Sequence, residues 1–299
     1  MKTASRLHTY DYHSAQNSPQ FSVKPEEIFM AETELCSGGW LLSPQDTWTP
    51  DKTCALNPTV CVAVDGARPG DLLIVDILDI VPDRFGYTGF TAFSNPLANK
   101  IRSHSWGLNT RTLKISEEGI HWNERLVLPL CPMIGTLGTA PAAEALSNAK
   151  AGSHGGNMDV QEVCIGSRVY LPVETHGALL HIGDVHALQG DGEINCSGGI
   201  ECRSVVTLKA SLAARPPSFQ CVRIENEEYI MTVGSEKSLE ESFCKATDQL
   251  LCWMEEDWGI PLADGHLLLG QVLEARCTQF VNPTHSYVCK ISKKILDAY

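Results

Sequence analysis

Positive charge is scarce: of 299 residues, 23 are lysine or arginine against 36 aspartate and glutamate, a formal charge of −13 and a pI near 5.2. That balance excludes the basic patch with which nucleic-acid binders release counterions, and an anionic membrane surface would repel the chain. Long apolar runs are missing as well. The longest, 72–81, is broken by Asp76 and Asp79, so nothing spans a bilayer. The first twelve residues lack the apolar core of a secretory leader. Twelve cysteines are present, but no two stand as C-x-x-C, which excludes zinc-ribbon and thioredoxin-like pairs. A disulfide framework belongs to short secreted chains. The expectation is therefore a soluble cytoplasmic protein with reduced, mostly buried thiols and no thiol mechanism. There is no G-x-S-x-G elbow, no P-loop and no dinucleotide fingerprint. Ser197-Gly198-Gly199 is only faintly like a serine-amidase loop and has no partner lysine pattern.

What is there reads as mainly β, a distorted β-sandwich with a smaller C-terminal α/β part. The expected division is 1–215, β-rich with the chemistry-bearing segments, and 216–299 packed on it, after the pair Pro216-Pro217. Short apolar segments at 28–33, 60–64, 72–81 and 125–128 predict strands, separated by Gly/Pro/Asp punctuation. The alanine-rich stretch 139–150 predicts a short helix, with Pro141 in its first turn and Gly152 past its end. Alternation predicts strands at 167–174, 178–189 and 204–212. Ser238 and Glu241 form a capping box before a helix stopped by Gly259 and Pro261. A second helix at 264–276 and a last strand at 287–291 complete the expectation.

Chemistry-capable residues concentrate between His154 and Glu193. Seven of them (His154, Asn157, Asp159, Asp184, His186, Asp191 and Glu193) fall within forty positions, interleaved with seven glycines. In an extended strand alternate residues share a face, so Ala178, Leu180 and Ile182 continue into Asp184 and His186. A strand ending with carboxylate and imidazole side by side suits Zn²⁺ or a similar divalent ion. Asp159 is a candidate third oxygen ligand, and Asn157 could orient a carbonyl or amide. Asp191 and Glu193 would present two further carboxylates to the same cleft, where four such charges call for a cation or for protons. By the same parity His181 falls on the opposite face. Glu32 and Glu34 are further candidates to reach the site from another strand.

The runs His154-Gly155-Gly156-Asn157-Met158-Asp159 and Gly183-Asp184-Val185-His186-Ala187-Leu188-Gln189-Gly190-Asp191-Gly192-Glu193 closely resemble the two hallmark motifs of the metal-associated acetamidase/formamidase family. The likeness extends to Ala67-Arg68-Pro69-Gly70-Asp71, to 167–172, to Leu251-Cys252-Trp253-Met254 and to Asn282-Pro283. Departures stand at Pro58-Thr59, at Glu34-Leu35-Cys36, where the family often has an aspartate, and at Asp264-Gly265-His266. The resemblance implies an amidase, in a mostly β, usually dimeric fold, hydrolysing a short neutral amide to a carboxylate and ammonia. It implies a divalent metal, zinc first with calcium or another ion open, held by Asp184, His186 and Asp159. Glu193, with Asp191, is then the expected acid–base group, and Asn157, Gln189 and His154 are expected to bind the amide. Two alternatives stay open: a hydrolase of another small C–N compound, urea- or guanidine-like, and a metal-binding β-sandwich without catalysis.

Overall fold

Strands make up 40% and helices 15% of the chain in a computed structural model that describes residues 1–195 and 198–299. Cys196 and Ser197, the latter the serine of Ser197-Gly198-Gly199, lie outside the described residues. The strands that matter for the site are β1 (Ile28–Thr33), β2 (Thr59–Val64), β3 (Asp71–Phe90), β4 (Met133–Thr139), β5 (Gly155–Asn157), β6 (Arg168–Pro172), β7 (Leu180–His186) and β8 (Glu201–Ala214). After them come β9 (Val222–Glu225), β10 (Tyr229–Glu236), α1 (Leu239–Trp258), α2 (Leu262–Val272), β11 (Glu274–Gln279) and β12 (His285–Ser292). Nearly all pairings are antiparallel, and one curled sheet of 18 strands joins them. No helix is long and apolar enough to cross a membrane among the described residues.

β7 is the strand that everything else frames. It runs antiparallel to β2, with Ile182 opposite Val60, and to β4, with Val185 opposite Ile134. Only its last two residues reach β8, where His186 lies opposite Glu201. All seven of its residues are buried, because it has sheet on both edges and the main apolar cluster around it. β3 outruns the expected 72–81: it continues to Phe90 by pairing with β8 and then with Asn109–Ser116. Its charged interruption Asp76 is neutralised sideways by Arg168 and Lys209.

The C-terminal part has its own apolar cluster, in which Ala246, Leu250, Trp253 and Met254 of α1 meet Ile230 and Ile291. The Ser238 half of the capping box forms, its Oγ accepting from Glu241 N–H at 3.1 Å. Gly259, at φ 65°, closes the helix in the left-handed conformation that glycine adopts without strain. α2 starts earlier than expected and stops at Val272. Arg276 instead sits in β11, whose hydrogen-bonding edge is satisfied by β12 rather than by a further helical turn.

The helix expected at 139–150 does not form. Residues up to Thr139 belong to β4, fully buried and paired with both β5 and β7. Ala140 N–H then donates to Ala178 O, and Leu146-Ser147 pairs with Tyr12-His13. Partners distant in sequence thus capture the backbone groups a helix would have used, overriding alanine's local preference. Nor are the thiols mostly buried. Of the eleven described cysteines, all free, four are buried, four intermediate and three exposed.

Candidate metal centre

At the closed end of β7, Asp184 Oδ1 lies 3.5 Å from His186 Nε2, and Glu201 Oε1 of β8 lies 3.1 Å from the same nitrogen. Asp159, two residues past β5, and Glu193, in the loop from β7 to β8, complete a wall beside them. One ligand atom each from Asp159, His186 and Glu193 falls within a mutual 4.8 Å, and so do Cys36, Asp184 and Glu201. Apart from Cys36 these side chains are buried, none more than 6% exposed.

The backbone is bent to make this possible. Asp159, Asp184 and Glu193 have φ of 50°, 56° and 41°, a region that costs a non-glycine residue on the order of 1–3 kcal/mol and recurs at functional sites. At Asp184 the twist removes one rung from the β4–β7 ladder: Ile134 still faces Val185 and Thr136 faces Gly183, but Gly135 and Asp184 are not paired. Glycine is needed opposite, because a Cβ on Gly135 would stand 2.5 Å from Asp159 Oδ1 and 2.8 Å from both O and Oδ2 of Asp184. On the other side a Cβ on Gly198 would overlap the carboxylates of Glu201 and Glu193.

The hydrogen bonds around the cluster orient its members. The Gln189 amide nitrogen donates to Asp159 O at 2.9 Å and Thr278 O at 3.0 Å, which turns its oxygen towards His186 Nδ1 at 2.8 Å. Nδ1 is therefore the protonated nitrogen, and Nε2 points at the carboxylates. An outer partner of this kind fixes the tautomer of metal-ligating histidines. Asn282 donates to Asp159 Oδ2 at 2.6 Å. The Asn157 oxygen accepts from Asn57 and Asn282, leaving its nitrogen to donate to Asp184 Oδ2 at 2.7 Å and Asp159 Oδ1 at 3.2 Å.

Burial, then the charge of Asp184, pushes the Asp159 carboxyl up to about 6. Burial, opposed by His186, raises Glu201 to about 7. Burial and the Asp159 charge carry Glu193 well above the usual carboxylate range. Burial acts to lower His186, but Glu201 and Asp184 outweigh it and hold the imidazole well above its ordinary value. Four buried atoms in the cluster lack a hydrogen-bond partner: Asp184 Oδ1, His186 Nε2, Glu193 Oε2 and Glu201 Oε2. Buried polar atoms without partners are rare in folded proteins. The orphaned oxygens of Asp184 and Glu201, with His186 Nε2 once a cation displaces its proton, form a donor set suited to a divalent ion, so the residues fit a metal.

Not every residue singled out in the sequence is here. Asp191 lines the same cavity as Glu193 but at its rim, its side chain 65% exposed and paired with Arg276 Nε at 2.8 Å. Gln189 and Asn157 are close by, but their amides are occupied by the protein itself. His154 packs on His13, ring centroids 5.1 Å apart, and His181 also faces His13, at 4.5 Å. Glu34 pairs with Arg203, and Glu32 accepts from the Arg6 backbone. Two members of the cluster were missed, Glu201 and Cys36. Burial, followed by the charges of Glu201 and Asp184, raises the Cys36 thiol well above its ordinary value.

A cavity of about 260 Å³ opens beside Glu193, lined by Thr88, Trp122, Leu188, Ile194, Asn195 and Ile200 among others. A larger hollow, about 730 Å³, lies between Glu227 and Ala298 on open surface and contains none of these groups.

Residues 5–153 and 142–247 match the Acetamidase/Formamidase family. A formamidase of Methylophilus methylotrophus is 30% identical over an alignment of 245 positions that covers 64% of this chain and 60% of that protein. The present chain thus spans less than two thirds of that relative. The crystal structure of an acetamidase from Bacillus halodurans superposes with a TM-score of 0.92 at 28% identity, covering 99% of each chain. That of a predicted acetamidase/formamidase from Thermoanaerobacter tengcongensis gives 0.91 at 29% identity, covering 100% of this chain and 97% of that one.

Proposed function

Because the chain belongs to the acetamidase/formamidase family, we propose that it hydrolyses a short neutral aliphatic amide to a carboxylic acid and ammonia at the buried cluster around His186. The observation carrying this reading is the set of four partnerless atoms on Asp184, His186, Glu193 and Glu201. Asp184, His186 and Glu201 would hold a divalent cation, with Asp159 on its flank. Bound there, the cation would supply Lewis-acid polarisation of the carbonyl and acidify water.

This chain's own groups do the rest. Glu193 borders the cavity, so it can take a proton from the attacking water and return it to the nitrogen as the C–N bond breaks. One water is consumed, and one ammonia leaves. Proton transfer of this kind is worth on the order of 10²–10⁴ in rate. Gln189 and Asn157 have no free donor for a substrate and act by positioning, Gln189 on the His186 ring and Asn157 on the two aspartates. The apolar wall of Trp122, Leu188, Ile194 and Ile200 fits the acyl chain of an uncharged amide. Zinc as the ion, a homodimer as the assembly and the cytoplasm as the compartment complete the proposal, resting on the donor set, the family resemblance and the cysteine spacing.

The test is ammonia release from formamide, acetamide, propionamide and urea by zinc-loaded and chelator-stripped protein, with metal content measured on both. Release from the simple amides that disappears on stripping and returns with zinc supports the reading. Full metal occupancy with no ammonia from any of the four overturns it.

A further inference from the structure

Three residues after β1 ends, the chain turns at 35–38, where Gly38 N–H donates to Leu35 O at 2.9 Å. That turn brings Cys36 Sγ to within 4.8 Å of a carboxylate oxygen of Asp184 and of Glu201, while those two oxygens are equally close to each other. His186 Nε2 joins this group through the same two carboxylates, 3.5 Å from Asp184 Oδ1 and 3.1 Å from Glu201 Oε1. A chain of donors ends on it. Trp40 Nε1–H donates to Ser37 Oγ at 2.8 Å, Ser37 Oγ meets Tyr87 Oη at 2.6 Å, and Tyr87 Oη meets Cys36 Sγ at 3.1 Å. With the Ser37 proton given to the phenol oxygen, the phenol proton points at sulfur, as it would at a thiolate. Tyr87 is 1% exposed and cannot turn to water instead. Donors from the protein to a ligating sulfur are the usual outer support of a metal thiolate.

We infer that Cys36 is a thiolate ligand of the same cation that Asp184, His186 and Glu201 hold, an inference that rests on the metal reading above. Softness then decides which ions fit. Calcium and magnesium take oxygen ligands, whereas sulfur beside imidazole and carboxylate selects zinc, cobalt or ferrous iron. The cluster is thus a site for a borderline first-row ion rather than a hard one. Tyr87 is a positioning residue that tempers the sulfur.

Cobalt(II) reports on this directly. Full-length protein is stripped, loaded with one equivalent of cobalt, and its absorption recorded with the bound metal measured by equilibrium dialysis. The expected spectrum has a near-ultraviolet sulfur-to-cobalt charge-transfer band besides the visible ligand-field bands. Cys36→Ser should lose the charge-transfer band and keep bound cobalt, while Cys54→Ser, altering a neighbouring exposed thiol, should keep both. Tyr87→Phe should shift the band to lower energy and weaken zinc about tenfold. Cobalt bound to the wild-type protein with no charge-transfer band overturns the inference and leaves the metal reading standing, and this needs no variant to fold. No retained cobalt overturns both.

Discussion

Gly135 packs tightly on both aspartates at once, which makes Gly135→Ala a sharp perturbation of the candidate site. Gly135 is not among the residues with positive φ, so alanine brings no backbone strain and the whole cost is steric. Ordinary van der Waals contact begins near 3.4 Å, and the new methyl would lie 2.5 Å from Asp159 Oδ1 and 2.8 Å from Asp184 O and Oδ2. The shortfalls are about 0.9 Å and 0.6 Å. Relief is not cheap. Asp159 is held at one oxygen by Asn282 and at the other by Asn157, and Asp184 O is backbone. Overpacking of this kind costs about 1–3 kcal/mol, and for a chain of this size each kcal/mol is worth about 2–4 °C in melting temperature. The displaced carboxylates would also leave the ±0.2 Å tolerance of metal ligands, roughly. The expected result is a melting temperature lower by about 2–12 °C and loss of most of the stabilisation that zinc gives the wild-type protein. Scanning calorimetry with and without chelator reads both. Gly190→Ala is the control, since a Cβ there meets nothing within 4 Å, and it should stay within about 0.5 kcal/mol. A Gly135→Ala protein that melts within about a degree of wild type and keeps its full response to zinc would refute the geometry.

Gln189→Leu removes the acceptor of His186 Nδ1 and both bonds of the amide nitrogen; zinc affinity measured by competition should fall about 10–100-fold, and an unchanged affinity would mean the ring is held some other way. Glu193→Gln should retain zinc and lower kcat by about 10²–10⁴, whereas Asp191→Asn, at an exposed pair with Arg276, should change stability by less than about 1 kcal/mol and leave zinc binding as it was. Burial, ahead of neighbouring charges, holds His154 and His181 down at about 4 and His13 well below its ordinary value. The unfolded chain therefore takes up these protons first, below about pH 6.5, so their contribution is present above that pH and is lost as pH falls towards 4, by up to about 1.4 kcal/mol per unit for each histidine. Urea denaturation of wild type and His13→Gln between pH 7 and 4.5 should show a shallower decline in the variant. Parallel curves would remove the histidine trio from the acid response.

The mostly β class, the Ser238 cap of α1 and the proximity of Asp184 to His186 were legible because each depends on residues close in sequence. The false helix at 139–150 shows the limit of that kind of reading. Nothing within the segment announces that Thr139 belongs to a strand or that Leu146-Ser147 will meet Tyr12-His13. Glu201 was missed for the same reason. It enters the site only through its register opposite His186, across a loop of fourteen residues, and register is not written in either strand alone. Cys36 left a trace. The segment Glu34-Leu35-Cys36 stands out as a departure from the resembled family, but strand parity there speaks for the carboxylate of Glu34 and is silent about the sulfur. Asp191 misled in the opposite direction. The Asp-x-Glu spacing puts both acids on one face only in an extended strand, and Gly192 at φ 81° with Glu193 at φ 41° turns the chain so that Glu193 points in and Asp191 out.

That turn links the charge of the chain to its chemistry. Acidic residues on the outside, such as Asp191, carry little energetic consequence, because water screens them and Arg276 pairs with them. The inner set is different: Asp159, Asp184, Glu193 and Glu201 are each at most 6% exposed, with one imidazole among them. Three of the four also sit on left-handed backbone, so proton uptake alone would answer the repulsion but leave the strain without a return. The proposed cation would answer both. It would neutralise the carboxylates, and its coordination energy would offset three residues held at about 1–3 kcal/mol each. The strain and the burial would then be two costs with a single compensating ligand, and the proposed amide hydrolysis would draw on that same ligand.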